Sequence, residues 1–233
     1  VSEVKIKDWV YPEATEIDTA RDLRIIREYL PRNKNIRILD AGGGTGRISI
    51  PLAKMGYRIV LLDISRTALN FAREEAKRAE VLDRIEFVEG DVCNLQFESN
   101  SFDFVISLRD VVSYSHEPKK AAKELIRVLK PDCYLIASVS NRVFWLTKVE
   151  RWNYEFEKIK SMLTTKRMFT EVELRELFDE LKIEKVVGSG YCSGNIPLRQ
   201  LDENFFRLEN FIGEDPELKY SCEYLVLIGR KHE

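Results

Sequence analysis

The chain has 233 residues, 44% of them hydrophobic and 33% charged, with a formal net charge of −2. At roughly 100 to 200 residues per domain, this length predicts one domain with some elaboration, and a large apolar share at near-zero charge excludes wholesale disorder. The longest uncharged run, Val186 to Leu198, has 13 residues, short of the ~20 that a spanning helix needs, and the charged stretch from Val1 to Asp8 shows no secretory signal; the expectation is a cytoplasmic protein with no membrane span.

In chain order, a helix is expected at 18 to 30, and from residue 36 two periodicities alternate. Ile36 to Asp40 is a β-branched run ending in a glycine cluster, and Arg47 to Met55 has helical spacing stopped by Gly56. Arg58 to Asp63 is a second apolar run ending in an acid; Ser65 then caps a helix with Ala68, Leu69, Ala72 and Ala76 on one face. Arg84 to Glu89 and Ser101 to Ser107 read as the third and fourth strands. Glu117 to Lys130 reads as a helix with Pro118 in its first turn and Pro131 as its stop. Cys133 to Val139 makes a fifth strand. Five strands with intervening helices imply a parallel sheet covered on both faces.

After residue 140 the rhythm changes. Trp145, Val149, Trp152, Phe156, Ile159 and Leu163 recur at three and four, predicting one long amphipathic helix over 143 to 163. Thr170-x-x-Glu173 is a capping-box sequence opening a helix through Leu181, and Ile183 to Gly188 reads as a strand. Residues 191 to 217 look irregular with one helix, and Glu223 to Gly229 closes the chain as a strand. The four cysteines, Cys93, Cys133, Cys192 and Cys222, form no C-x-x-C pair, and there are only two histidines, so neither a zinc site nor a disulfide framework is expected. The charged fraction above the usual ~25%, with few glutamines, is a hyperthermophile pattern.

The chemistry begins at Asp40-Ala-Gly42-Gly43-Gly44-Thr-Gly46-Arg47, between a strand and a helix. Glycines there allow a tight reversal and let a ligand approach the backbone, and the carboxyl end of the first strand is where open parallel sheets bind ligands. The dinucleotide fingerprint G-x-G-x-x-G requires glycine at position 47, where this chain has Arg47. A pyrophosphate also disfavours a fixed carboxylate nearby, so Asp40 suits a ligand that carries positive charge.

The run Ile38 to Arg47 resembles the first motif of the class I S-adenosylmethionine-dependent methyltransferases, close to the ubiquinone and menaquinone C-methyltransferases. The resemblance implies a Rossmann-like doubly wound α/β fold, with a seven-stranded sheet that is mostly parallel and has its last strand antiparallel. It implies S-adenosylmethionine as cofactor, S-adenosylhomocysteine as product, and binding by the loop residues Asp40, Gly42, Gly43 and Gly44. Asp63, followed by Ile64, corresponds to the acid that accepts from both ribose hydroxyls; Asp91 to the acceptor of the adenine amino group; and Val92 to the backbone donor to the ring. Leu108 and Arg109 correspond to the end of the fourth-strand motif that lines the methionine end. Taken singly, Asp63 is an ordinary strand-end cap and Asp91 a turn residue; it is their order after successive strands that is specific. Tyr11, in Trp9-Val-Tyr-Pro12, either reaches the cofactor carboxylate or staples the helix that follows.

Methyl transfer from a sulfonium is an in-line displacement in which positioning and desolvation supply much of the rate. A base is needed only for a protonated acceptor, and the catalytic candidates are Asp110, Tyr114 and His116, the last also readable as a helix-start residue. The sequence lacks the motifs of amino-group nucleic-acid, cytosine C5 and protein arginine methyltransferases, so a small-molecule acceptor is expected. RNA or protein methylation, or cofactor binding without catalysis, are the alternatives. Residues 142 to 168 carry seven Lys/Arg against three Asp/Glu among aromatics, but these aromatics fall mostly on the helix stripe. The preferred reading is therefore a lid over the acceptor, with nucleic acid disfavoured. A homodimer is left open. The organisation expected is a single domain over 1–233, with a helical cover at 1–35 and substrate elaborations at 143–163 and 191–217.

Overall fold

The structure, a computed structural model, describes residues 12–152, 165–190 and 203–232. Helix α1 (Pro12–Tyr29) precedes an alternation of β1 (Arg37–Ala41), α2 (Ser49–Lys54), β2 (Arg58–Asp63), α3 (Arg66–Arg78), β3 (Ile85–Glu89) and β4 (Phe102–Ser107). A short α4 (Val111–Tyr114) and α5 (Pro118–Val128) lead to β5 (Leu129–Ser140), α6 (Arg142–Trp152), α7 (Glu171–Leu177), β6 (Leu181–Ser189), α8 (Glu203–Glu214) and β7 (Tyr224–Lys231). The strands form one seven-stranded sheet in the order β3-β2-β1-β4-β5-β7-β6. The pairs from β3 through β5 are parallel, and β7 is antiparallel to both neighbours, as expected from the sequence.

Successive residues of each strand enter different cores, which is why the strands read as continuous apolar runs. Ile59 and Leu61 of β2 join Ile38, Leu52, Leu69 and Phe104 on one side. Val60 and Leu62 join Leu39, Val105, Leu125 and Leu135 on the other. The first cluster is covered by α1, α2 and α3, the second by α5 and α7.

Local signals set the helix ends. The Ser65 side chain accepts from the Ala68 N–H, and Thr170 and Glu173 form the reciprocal capping box. Helix α7 stops at Leu177 rather than Leu181, because Leu181 pairs with Lys231 in the sheet. The part of the long helix within the described residues is Arg142–Trp152, and its buried residue is Phe144 (5% exposed), with Trp145 only half-buried. Among the described residues, no helix is long and apolar enough to cross a membrane.

The chain builds the sheet outward in one direction from β1 through β2 to β3 and in the other from β4 onward, so the order reverses between β1 and β4. This leaves a crevice at their carboxyl ends, the position where such sheets hold ligands.

Candidate active site

The glycine loop leaves β1 at Ala41 and turns with φ of +77° at Gly42 and +55° at Gly44, values that favour residues without a Cβ. The Gly42 and Gly43 N–H groups both donate to the Leu62 carbonyl (2.7 and 3.1 Å), and Gly46 N–H donates to the Gly43 carbonyl (3.0 Å). These amides are directed into the protein, so the loop is no phosphate cradle. Space above Gly44 is open: a Cβ built there would meet only Asp63 Oδ2, at 3.9 Å.

Asp40 is buried beneath the loop and accepts from Ser49 Oγ at 2.6 Å. Burial pushes its carboxyl up to about 6, against the opposing effect of the Ser49 hydrogen bond. The sign follows from linkage: the folded chain holds this proton at pH values where the unfolded chain, ionising near 3.8, has lost it. Stability from this group is therefore expected to fall by about 3 kcal/mol as pH rises from about 4 to about 6.5. Urea titrations across that range check it, with the slope expected to flatten in Asp40→Asn, which can still accept from Ser49.

The acid ending β2 and the acid two residues after β3 are held by backbone. Asp63 accepts from the Gly44 N–H through Oδ2 (2.9 Å) and from the Ser65 N–H through Oδ1 (2.8 Å). Each oxygen keeps a lone pair for a ligand hydroxyl, so the carboxylate is oriented without being saturated. Ile64, next to it, is 73% exposed, an apolar surface beside a polar anchor. Asp91 accepts from the Cys93 N–H at 2.8 Å, and Val92 is buried.

Leu108 is buried against the cluster containing Ile38 and Ile106. The Arg109 guanidinium turns toward α1. Its Nε donates to Asp22 Oδ2 (3.1 Å), its Nη2 lies 3.0 Å from Asp18, and its plane lies 4.5 Å from the Tyr224 ring centroid. Asp22, which periodicity did not single out, is 3% exposed and also accepts from Arg47 Nη2 at 2.8 Å. Burial alone would raise its carboxyl, but Arg109 and Arg47 outweigh that and hold it below the usual carboxylate range. Helix α1 is thereby bound to both the glycine loop and the end of β4. Tyr11 lies outside the described residues, as do 153–164 and 191–202 of the two expected elaborations.

Arg109 and Asp110 are consecutive non-glycine residues with φ of +63° and +67°, a strained pair of the kind found at functional sites. The bend sends α4 back over the loop, where Val111 packs on Gly42. Asp110 is buried and accepts from Lys166 Nζ at 3.0 Å. Its other oxygen has no hydrogen-bond partner among the described residues. Lys166 also lies 4.7 Å from the Trp145 ring centroid and 5.8 Å from that of Tyr114. Burial and then the Asp110 carboxylate push the Tyr114 phenol up, which makes Tyr114 the poorer base. His116 precedes α5, and its ring faces Asp91 (3.9 Å) and Glu117 (3.5 Å). Of the three catalytic candidates, Asp110 and Tyr114 thus share Lys166, while His116 belongs with the acid after β3. Lys166 lacked any motif; its role depends on a partner 56 residues away.

A family model described as a methyltransferase domain matches residues 39–137. The chain is 44% identical over 98 residues to a demethylmenaquinone methyltransferase of Clavibacter sepedonicus, which aligns 41% of this chain with 37% of that protein. It is 36% identical over 118 residues to a ubiquinone/menaquinone biosynthesis C-methyltransferase of Rhodopseudomonas palustris, aligning 48% of this chain and 45% of the relative. The chain thus spans less than half the length of each of these relatives. Among solved structures, an S-adenosylmethionine-dependent methyltransferase from Thermotoga maritima shares the fold at a TM-score of 0.66 and 22% identity, over 94% of this chain and 91% of that one. Another from Methanosarcina mazei does so at 0.64 and 24%, over 89% and 97%. The glycine loop, Asp63 and Asp91 all lie inside the matched region, so residues 39–137 are similar to the methyltransferase domain family over the part of the chain that carries the candidate site.

Proposed function

We propose that this chain is an S-adenosylmethionine-dependent methyltransferase acting on a small molecule. The observation that carries the reading is the Asp63 carboxylate, held by Gly44 and Ser65 with a lone pair free on each oxygen beside the open space above Gly44. A vicinal diol of a ribose is the ligand group that uses both oxygens at once. The inward-directed amides of Gly42 and Gly43 fit a cofactor without a phosphate there. When bound, S-adenosylmethionine supplies an electrophilic methyl group on a sulfonium.

On this reading, Asp63 and Ile64 hold the ribose, Asp91 and Val92 the adenine edge, and the Asp40–Gly44 turn with Leu108 the amino-acid end. Arg109 acts at one remove, fixing α1 over the site through Asp22 and Asp18. Asp110, held by Lys166 through one oxygen, offers its other oxygen to an acceptor hydrogen. The proposed organisation is one domain, with the N-terminal helix as cover and 143–163 and 191–217 shaping the acceptor site. A composition rich in charge supports a thermophilic source, and nothing in its balance favours a polyanionic acceptor.

Calorimetry tests the reading. S-adenosylmethionine or S-adenosylhomocysteine is expected to bind and NAD is not. Asp63→Ala removes two charge-assisted hydrogen bonds, worth about 3 kcal/mol together, so affinity is expected to drop roughly 100-fold. Binding of NAD without response to S-adenosylmethionine, or unchanged affinity in Asp63→Ala, overturns it.

A further inference from the structure

Two side chains of the loop after β3 meet a histidine from well beyond them in the sequence. Ligand atoms of Asp91, Cys93 and His116 all lie within 4.8 Å of one another. A thiolate, an imidazole and a carboxylate make the donor set of a borderline-soft divalent cation, zinc above all, and are unsuited to magnesium or calcium. Expectation from spacing alone looked for paired cysteines; this group uses one cysteine of the loop after β3 and the histidine that precedes α5.

The neighbours of these residues orient them as metal ligands are oriented. The Cys93 N–H donates to Asp91 Oδ1 at 2.8 Å, which leaves Oδ2 facing His116 Nδ1 at 3.9 Å. On the far side of the ring, Glu117 Oε2 lies 3.5 Å from His116 Nε2. A carboxylate on that side favours the proton on Nε2 and so leaves the Nδ1 lone pair for an ion, the arrangement that sets the tautomer in histidine metal sites. The supporting frame is rigid. Leu95 N–H donates to the Glu124 carboxylate (2.8 Å), and Arg127 donates to the Leu95 and Phe97 carbonyls (2.9 and 2.8 Å), tying the loop after β3 to α5. Cys93 is buried while Asp91 and His116 reach the surface, so an ion held by all three keeps a fourth position open to solvent or a ligand.

We propose that Asp91, Cys93 and His116 form a site for one thiophilic divalent cation of the zinc class, and that its occupation withdraws Asp91 from the nucleoside end. The second half rests on the cofactor reading above; the first does not.

The test uses the full chain with Zn2+ in calorimetry and Co2+ as an optical probe. One ion per chain is expected, with a sulfur-to-cobalt charge-transfer band. Cys93→Ser should abolish the band and Cys133→Ser should keep it. His116→Ala, at an exposed position that folding tolerates, should weaken zinc binding by about 100-fold and Glu117→Gln by roughly 10-fold. Absence of stoichiometric zinc, or zinc binding undiminished in both Cys93→Ser and His116→Ala, overturns the site. The chain saturated with S-adenosylhomocysteine should bind zinc about 10-fold more weakly; undiminished binding there overturns the shared use of Asp91, while the metal-free calorimetry reports separately on the cofactor.

Discussion

Asp22→Ala is expected to cost about 3 to 5 kcal/mol, because it leaves two mostly buried guanidiniums, those of Arg47 and Arg109, facing each other without their common carboxylate. Asp18 still holds Arg109 Nη2, so the helix should loosen rather than the whole sheet. Urea unfolding measures the loss, and hydrogen exchange along Pro12–Tyr29 locates it. Asp22→Asn, which keeps an acceptor but not the charge, should fall between the two. The pH dependence has a definite sign. A carboxyl depressed in the folded state contributes stability that is complete above its unfolded value, near 3.8, and is lost as pH falls through the folded value. The acid limb below about pH 4 should therefore be steeper in the wild type than in Asp22→Ala. This runs opposite to Asp40, whose raised value weakens the fold toward neutral pH. A loss under about 1 kcal/mol in Asp22→Ala would mean that the two arginines find solvent and that α1 is not clamped.

Gly42→Ala should be nearly as damaging, for a steric reason. The added Cβ would stand 2.3 Å from Val111 Cγ2, at a residue whose φ is +77°. Left-handed backbone costs an L-residue about 1 to 2 kcal/mol, and forcing apart a packed contact costs about 1 to 3 kcal/mol more. The strain moves α4, and with it Asp110 and its pairing to Lys166. Val111→Ala removes the offending methyls, so the double variant should recover the packing share, a coupling of about 1 to 3 kcal/mol in a double-mutant cycle. Additive losses would show that the clash is relieved elsewhere and that α4 is not braced on the loop.

These two sites mark the line between what could be read along the chain and what could not. The strands, the Ser65 cap, the Thr170–Glu173 capping box and the glycine turn depend on neighbours within a few residues, and each appears near its expected place. Asp63 was legible for the same reason, since a parallel strand delivers its last residue to the same edge each time, and Asp91 follows two residues after β3. Helix α4 escaped notice because four residues carry no periodicity; it exists because Arg109 and Asp110 adopt positive φ and Val111 finds Gly42.

By itself the sequence determined the alternation of strand and helix, the open glycine turn after the first strand, and an acid at the end of each of the next two. Periodicity and capping are local, so local residues suffice to encode them. Only the tertiary structure decided which charges meet. Arg109 is paired with Asp22 across 87 residues and Asp110 with Lys166 across 56. Asp91 and Cys93 gain His116 as a neighbour through the packing of the loop after β3 on α5. Buried charges must be paired or neutralised, and no spacing along the chain names the partner that a fold will bring.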